Sequence, residues 1–542
     1  MFNFFSSKIL NGQSQTITGA AMVLALASLA SRVLGLVRDR MLAGNFGAGD
    51  TLDVYYAAFR LPDLVYNLLI MGALSAGFIP VFVGLWNKSQ EGDREAWRFV
   101  SSLLNILLIA LVVVGALFFI FTPQLMRAIT PGFIGEKFNL TVSLTRIMFL
   151  SPLLLGLSSV WGGVLQSLKR FLVFSLTPVF YNLGIIFGIV FLVPRWGAYG
   201  LAWGVALGAL LHMIIQLPTL FSLGFKYQLV LDWHDVGVRR LARLMVPRTL
   251  TLAVSQLNFV AITILASFLA AGSLAIFNLA YNIWTFPLGI LAASLATAAF
   301  PALSQNAAAK DKQAFAKTLA DTFRQILFLV IPASVLLIVL RAQIVRVILG
   351  TGKFGWEDTI LTINSLQYLT LGLFAEALTL LLVRGFFAWE DTKTPFWLGL
   401  VSSFIRIGGA WWFSLSLGVA GLALGFAIGG VVNMLLLWLF LTRKAGNLGF
   451  GEIFVSGIKI LLASIAAGLG AYGALRLADK FVDTHAFLGL LAQGAMAGLV
   501  GLIIYFLAGL LLRSLEMRIF WQAVKNRVPF KIAASDKEII EP

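Results

Sequence analysis

The chain has 542 residues, of which 59% are hydrophobic and 12% charged, about half the charged fraction of a soluble globular protein. It carries a net charge of +16, no cysteine and three scattered histidines, His212, His234 and His485. These exclude disulfides, thiolate metal sites and cysteine nucleophiles, and they leave no histidine cluster for a metal. The positive charge has no aromatic-interleaved patch of the kind nucleic-acid binders use, so it must be read through membrane topology instead.

Apolar stretches of about 20 residues, the length that crosses a ~30 Å hydrocarbon core, recur from end to end. Fourteen spans are expected, near 17 to 43, 53 to 86, 98 to 122, 139 to 168, 175 to 193, 198 to 222, 244 to 270, 274 to 304, 316 to 340, 359 to 387, 395 to 416, 419 to 442, 453 to 476 and 486 to 512. Lys8, an apolar run and ALASLAS (25 to 31) could be scored as a cleavable signal peptide, but the repeat described below needs this segment as a retained helix. No connection exceeds about 30 residues, which leaves no room outside the bilayer for a catalytic domain and points to a transporter, not an enzyme.

The first span ends in SRVLGLVRDR (31 to 40). Arg38, Asp39 and Arg40 lie near its outer end, where interfacial anchoring explains them. Arg32 has apolar sequence on both sides, and Arg32 and Asp39 are seven apart, nearly on one helix face. A charge near the bilayer centre costs about 2.5–3.5 kcal/mol on insertion scales, so Arg32 marks a functional site unless it snorkels. In the second span FRLPDLVYN (59 to 67) sets Arg60 and Asp63 beside Pro62, whose missing N–H predicts a kink. Later, Glu376 and Arg406 fall about halfway along antiparallel neighbours and could meet as a coupling or structural ion pair. GTGKFG (350 to 355) matches a dinucleotide pattern but lacks the strand–turn–helix setting that gives the pattern meaning.

An internal repeat organises the chain. GAYGLAWGVALGALLHM (197 to 213) aligns without a gap to GVAGLALGFAIGGVVNM (418 to 434), an offset of 221. SLTP (175 to 178) matches TKTP (392 to 395), and GALSAGFIP (72 to 80) matches ASLATAAFP (293 to 301). Six spans separate matching segments, so the halves share one topology. This predicts an all-α integral membrane fold of two six-helix parallel repeats, with N- and C-lobes around a central cavity and two additional C-terminal helices. The expected divisions are 1–235 (N-lobe), 236–445 (C-lobe), 446–515 (the added pair) and 516–542 (a cytoplasmic tail). Taking connections alternately, one set holds about 25 Lys and Arg and the other about eight, so the positive-inside rule predicts both termini in the cytoplasm.

The string SRVLGLVRD, followed by FGAGDTLDVYYAAFRLPDL and GALSAGFIPVF, resembles the opening of the MurJ (MviN) family, lipid II flippases of the MOP superfamily; GKF (352 to 354) and DTKTP (391 to 395) look like its later signatures. The resemblance implies a monomeric alternating-access flippase of a bacterial cytoplasmic membrane, without cofactor, that moves undecaprenyl-pyrophosphate-linked peptidoglycan precursor to the outer leaflet. It implies contacts to membrane lipids and to cell-wall synthesis proteins, and none to nucleic acid. A MOP-superfamily exporter of another lipid-linked oligosaccharide or drug, or a scaffold for cell-wall enzymes, are the competing readings. By resemblance Arg32 and Arg38 match cavity arginines that engage pyrophosphate, Asp39 and Asp53 match acidic positions of the opening motif, and the added pair forms a groove for the lipid tail. With Arg60 and Asn282 these make up the expected substrate-binding set; Asn67, Gln256, Asn258 and Asn278 are further candidates for the sugars. Tyr66 and the Tyr281, Asn282 pair stand where the family often carries arginines, so a less positive cavity is expected.

Overall fold

The computed structural model describes residues 17–87, 92–483 and 486–525. Lys8, His485, part of the 86 to 98 connection and most of the expected tail (526–542) lie outside them. Every regular element among the described residues is helical, as a bilayer requires when backbone N–H and C=O groups have no water to bond. Helices cover all fourteen expected segments. Ten of them are long and apolar enough by themselves to cross a membrane, and Trp356–Leu371 with Leu373–Ala388, bent by 42°, makes an eleventh. Of the other three, Ile17–Phe46 carries the charges of SRVLGLVRDR, and Gly77–Trp86 and Leu252–Ser267 are shorter apolar helices among the described residues.

By packing the chain forms two compact units, 1–275 and 276–542. Val236–Ser267, read from sequence as the start of the second lobe, packs within the first unit against Gly72–Trp86 and Tyr66–Met71. A boundary read from the charged connection before it follows the chain, whereas packing follows the side-chain surface.

The offset of 221 recurs in backbone geometry. Gly197 has φ 54°, ψ −135° and Gly418 has φ 56°, ψ −133°, a left-handed region that only glycine adopts without strain. Each starts the helix whose glycines press on the helix before it. A Cβ on Gly200 would fall 2.5 Å from the Leu192 carbonyl carbon, and one on Gly421 would fall 2.2 Å from the Phe413 carbonyl oxygen. Gly204 packs on Gly188, and Gly425 on Gly409 and Ala410. Small residues let two backbones touch, which is how membrane helices gain packing when lipid offers no hydrophobic drive. The third matching pair, GALSAGFIP with ASLATAAFP, shares a different irregularity, since π-helical turns at Tyr66–Met71 and Leu288–Ala292 each precede a helix with an internal proline, Pro80 and Pro301.

DTKTP acts as a helix start. The Asp391 carboxylate accepts from the Thr394 N–H (3.0 Å), the Thr394 hydroxyl (2.8 Å) and Lys444 (2.7 Å), tying Lys393–Leu417 to the end of Val419–Ala445. Burial alone would raise this carboxyl, but the bonds from Lys444 and Thr394 outweigh it and hold it below the usual carboxylate range.

The added helices Phe450–Ala478 and Phe487–Leu511 pack on each other and on Lys312–Val339. Gly468 meets Val335, Gly501 meets Leu336 and Ala471, and the Tyr505 hydroxyl donates to the Phe328 carbonyl at 2.7 Å.

Gly425→Leu puts side-chain atoms where Ala410 N lies 2.0 Å from the ideal Cβ, whereas Gly408 faces open space. Thermal unfolding in detergent should show Gly425→Leu destabilised by at least about 3 kcal/mol and Gly408→Leu within about 0.5 kcal/mol of the parent.

Candidate functional site

The first helix, Ile17–Phe46, runs unbroken through SRVLGLVRDR. Arg38 is held from both sides: its Nε and Nη2 donate to Asp39 Oδ1 at 3.0 and 2.8 Å, and its Nη1 donates to Asn182 Oδ1 at 3.1 Å. Asn182, on Phe171–Phe187, donates back to Ser31 at 3.3 Å and to the Pro178 carbonyl at 3.1 Å. This neutralises the buried Asp39 and locks two helices together. Arg32 is left different. It is half-buried, and among the described residues it has no hydrogen bond or ion pair. Asp39 sits on nearly the same face but turns to its neighbour Arg38 rather than up the helix to Arg32.

Asp53, expected from the opening motif to touch substrate, is buried and fully engaged within its own unit. It accepts from Lys137 Nζ (2.8 Å), the Gly272 N–H (2.8 Å) and the Ala275 N–H (2.9 Å). Lys137 also holds Asp50 at 2.6 Å. Gly272 has φ 87°, and a Cβ there would strike the Ala48 carbonyl oxygen at 1.8 Å. Asp53 therefore ties the start of the second helical segment to Gly135–Met148 and to the turn before Ser273.

The second segment breaks where Pro62 predicts. The helix Asp50–Ala58 stops, Arg60–Val65 restarts, and the π turn Tyr66–Met71 follows. Pro62 has no N–H for the Ala58 carbonyl, which is where the helix ends. Polar side chains satisfy the loosened backbone: Asn67 donates to the Asp63 carbonyl (2.8 Å) and Thr249 to the Leu68 carbonyl (3.2 Å). Arg60 Nε donates to Thr263 at 2.7 Å, and its guanidinium carbon lies 5.5 Å from the Phe259 ring centre. Tyr66 bonds Ser159 at 3.1 Å.

In the second unit Asn282 is half-buried on Ser273–Pro287, and its neighbour Tyr281 packs among Phe277, Trp284 and Phe426. Glu376 and Arg406 do meet. Arg406 Nη2 donates to Glu376 Oε1, and the guanidinium carbon lies 3.9 Å from the centre of the Phe426 ring. Gly429 and Gly430 make the room, since a Cβ on the first would strike Arg406 Cβ at 2.4 Å and on the second Glu376 Oε1 at 2.7 Å. Sequence symmetry thus places a repeat glycine, Gly429, against the ion pair.

Several participants were not singled out from sequence: Asn182, Thr263 and Lys137 are polar residues on apolar or interfacial helices, and only folding shows which charge they meet. The same holds for Ser158, whose hydroxyl lies 2.6 Å from His212 Nδ1 and accepts from Gln216. An apolar cleft of about 340 Å³, with Phe323, Leu327, Phe374, Trp438, Phe454 and Leu461 in its lining, opens between Phe450–Ala478 and other helices of the second unit. The sequence reading assigned a tail groove to the added pair; this cleft takes its lining from the first of the pair and not from Phe487–Leu511. Among the described residues no group of His, Asp and Glu could hold a metal.

The family model described as "Lipid II flippase MurJ" matches residues 42–493. A probable lipid II flippase MurJ from Buchnera aphidicola is 31% identical over 81% of this chain and 86% of its own length. A lipid II flippase MurJ from Burkholderia cenocepacia is 30% identical over 81% and 87%. A solved structure of lipid II flippase MurJ in an inward closed conformation superposes with a TM-score of 0.75 at 26% identity, covering 93% of this chain and all of that one. An inward-facing MATE-family multidrug transporter of the MOP superfamily has a TM-score of 0.63 at 16% identity, covering 78% of this chain and 98% of that one, a likeness of fold alone.

Removing one partner of a buried ion pair costs about 3–5 kcal/mol, while replacing both by apolar residues of similar size is often neutral. Glu376→Leu alone and Arg406→Met alone should each lower the unfolding midpoint in detergent markedly, and the double variant should recover most of the loss. A double variant as unstable as the sum of the singles would show that the two side chains do not stabilise one another.

Proposed function

Because the chain belongs to the MurJ family of lipid II flippases, and so is a multi-pass membrane transporter and not an enzyme, we propose that it moves the undecaprenyl-pyrophosphate-linked peptidoglycan precursor from the inner to the outer leaflet. The observation that carries the residue assignment is Arg32, an arginine deep in an apolar helix without a partner among the described residues. A guanidinium in that position gains most from a ligand that brings its own negative charge, and a pyrophosphate presents oxygens that the planar fork binds in pairs.

The remaining charges of the first unit then have distinct jobs. Arg38, already satisfied by Asp39 and Asn182, keeps two of its five N–H donors for a ligand and holds the helix face in position. Arg60, fixed by Thr263, adds positive potential beside the break in its segment. Asp53 supports the fold around the site. Asn282 supplies neutral hydrogen bonding suited to sugars. Tyr66 and Tyr281 leave the positive charge concentrated on the first helix.

The lipid chain has a fitting surface in the apolar cleft along Phe450–Ala478, where each buried CH₂ contributes about 0.8 kcal/mol. Glu376 and Arg406 are the coupling element: protonating Glu376 would remove the charge that holds Arg406 and leave it only the Phe426 face, changing the packing of three helices. The transport cycle is alternating access driven by an ion gradient or the membrane potential. The protein acts as a monomer in the bacterial cytoplasmic membrane with both termini inside, as the charge bias of its connections supports. The likeness to multidrug exporters rests on fold alone, and no residue described above favours a drug as substrate.

Arg32→Ala, expressed at parental level, should fail to support growth of a flippase-depleted strain and should leave labelled lipid II inaccessible from the outer leaflet. Arg32→Lys should retain partial activity through its charge. Normal growth and normal accessibility with Arg32→Ala would overturn the assignment of that residue.

A further inference from the structure

A pocket of about 1000 Å³, none of whose lining residues belongs to the candidate substrate set, lies where Lys312–Val339 and Phe450–Ala478 end and Phe487–Leu511 begins, beside the short helix Arg341–Leu349. These are the ends of apolar, membrane-length helices, so the pocket sits at a membrane–water interface.

Its floor is apolar: Val339, Ile363, Leu475, Phe487 and Leu490 line it, and Leu475 and Val339 belong to a small buried cluster with Leu340, Ala474 and Ala497 behind them. Its walls carry three arginines, Arg341, Arg346 and Arg476, against a single lining carboxylate, Asp479. That carboxylate is engaged by Gln493. The arginines bond only to neutral groups. Arg341 Nη1 donates to the Ile338 carbonyl (2.6 Å), Arg346 Nη1 lies 3.5 Å from the Thr359 hydroxyl, and Arg476 Nε and Nη2 meet the Tyr472 hydroxyl at 3.0 and 2.7 Å. Among the described residues none of the three forms an ion pair. Two polar atoms in the lining are buried without a hydrogen-bond partner, the donor Arg341 Nε and the acceptor Gln343 Oε1. Trp356 and Tyr472 stand exposed at the rim, the residue types that sit at lipid headgroup level.

We propose that this pocket binds the phosphate-bearing headgroup of an anionic lipid, with the phosphate on the arginines, a headgroup hydroxyl on Gln343 and the start of the acyl chains on the apolar floor. Unpaired guanidinium groups, an unfilled N–H donor and an unfilled acceptor together ask for a ligand with both phosphate oxygens and a hydroxyl. The volume is at the upper end of the range for ligand pockets, about 300–1000 Å³, far more than a bare phosphate fills. The lipid would join the two added helices to Arg341–Leu349. The site is independent of the transport reading, because none of its residues contributes to the substrate set.

The test is calorimetric titration of the purified full chain in neutral detergent with dihexanoyl phosphatidylglycerol, dihexanoyl phosphatidylcholine and inorganic phosphate. Phosphatidylglycerol should bind at one saturable site, more tightly than the other two, and raising ionic strength should weaken it. Arg341→Gln with Arg346→Gln should weaken binding by about tenfold or more. Arg476→Gln, on an exposed side chain that does not threaten folding, should weaken it severalfold and decides the matter if the double variant does not fold. Unchanged affinity in Arg476→Gln would overturn the proposal. So would inorganic phosphate binding as tightly as the lipid, which marks an anion site only, or equal affinity for phosphatidylcholine, which removes the role of net charge.

Discussion

A charge cannot remain bare in a hydrocarbon core, and the architecture of this protein is arranged around that constraint. Burying an ion costs several kcal/mol unless a partner and further hydrogen bonds compensate. Asp39 is therefore wrapped by Arg38, Asp53 by Lys137 and two backbone N–H groups, and Glu376 by Arg406. Each of these solutions recruits a second or third helix, so each also fixes how helices pack. Arg32 has no such solution among the described residues, and that exception is the basis of the role proposed for it.

Glycine provides the other half of the architecture. The helix starts at Gly197 and Gly418 share an unusual backbone conformation, and the first two glycines that follow in each helix press on residues 221 positions apart, Gly200 and Gly204 on Leu192 and Gly188, Gly421 and Gly425 on Phe413 and Gly409. The contacts of the next glycine differ: Gly208 meets Tyr181, whereas Gly429 meets Arg406 and seats the ion pair.

Much of this was legible beforehand. Apolar length located the helical segments, Pro62 marked the break in the second, the glycine register marked the matching helix starts at Gly197 and Gly418, and mid-span position singled out Glu376, Arg406 and Arg32. Each is a local or periodic signal, carried by residues whose own chemistry makes them costly or awkward in a membrane helix. The partners were not legible. Asn182 lies 144 residues from Arg38, Thr263 lies 203 from Arg60, and the Gly272 N–H lies 219 from Asp53. An asparagine or threonine is common enough in such helices to carry no signal until a charge is brought to it.

By itself, then, the sequence determined that the chain is an all-helical membrane protein, and which of its charges needed explaining, because insertion cost and helix periodicity depend only on residue type and spacing. Tertiary structure alone decided which of those charges are satisfied. It joined Asp53 to Lys137 and two backbone N–H groups, drew Asp39 to Arg38 instead of Arg32, and formed an apolar cleft lined by one of the added helices and its neighbours. The physical reason is that pairing energy depends on distance and desolvation, and in this chain both are set by contacts between helices far apart in sequence.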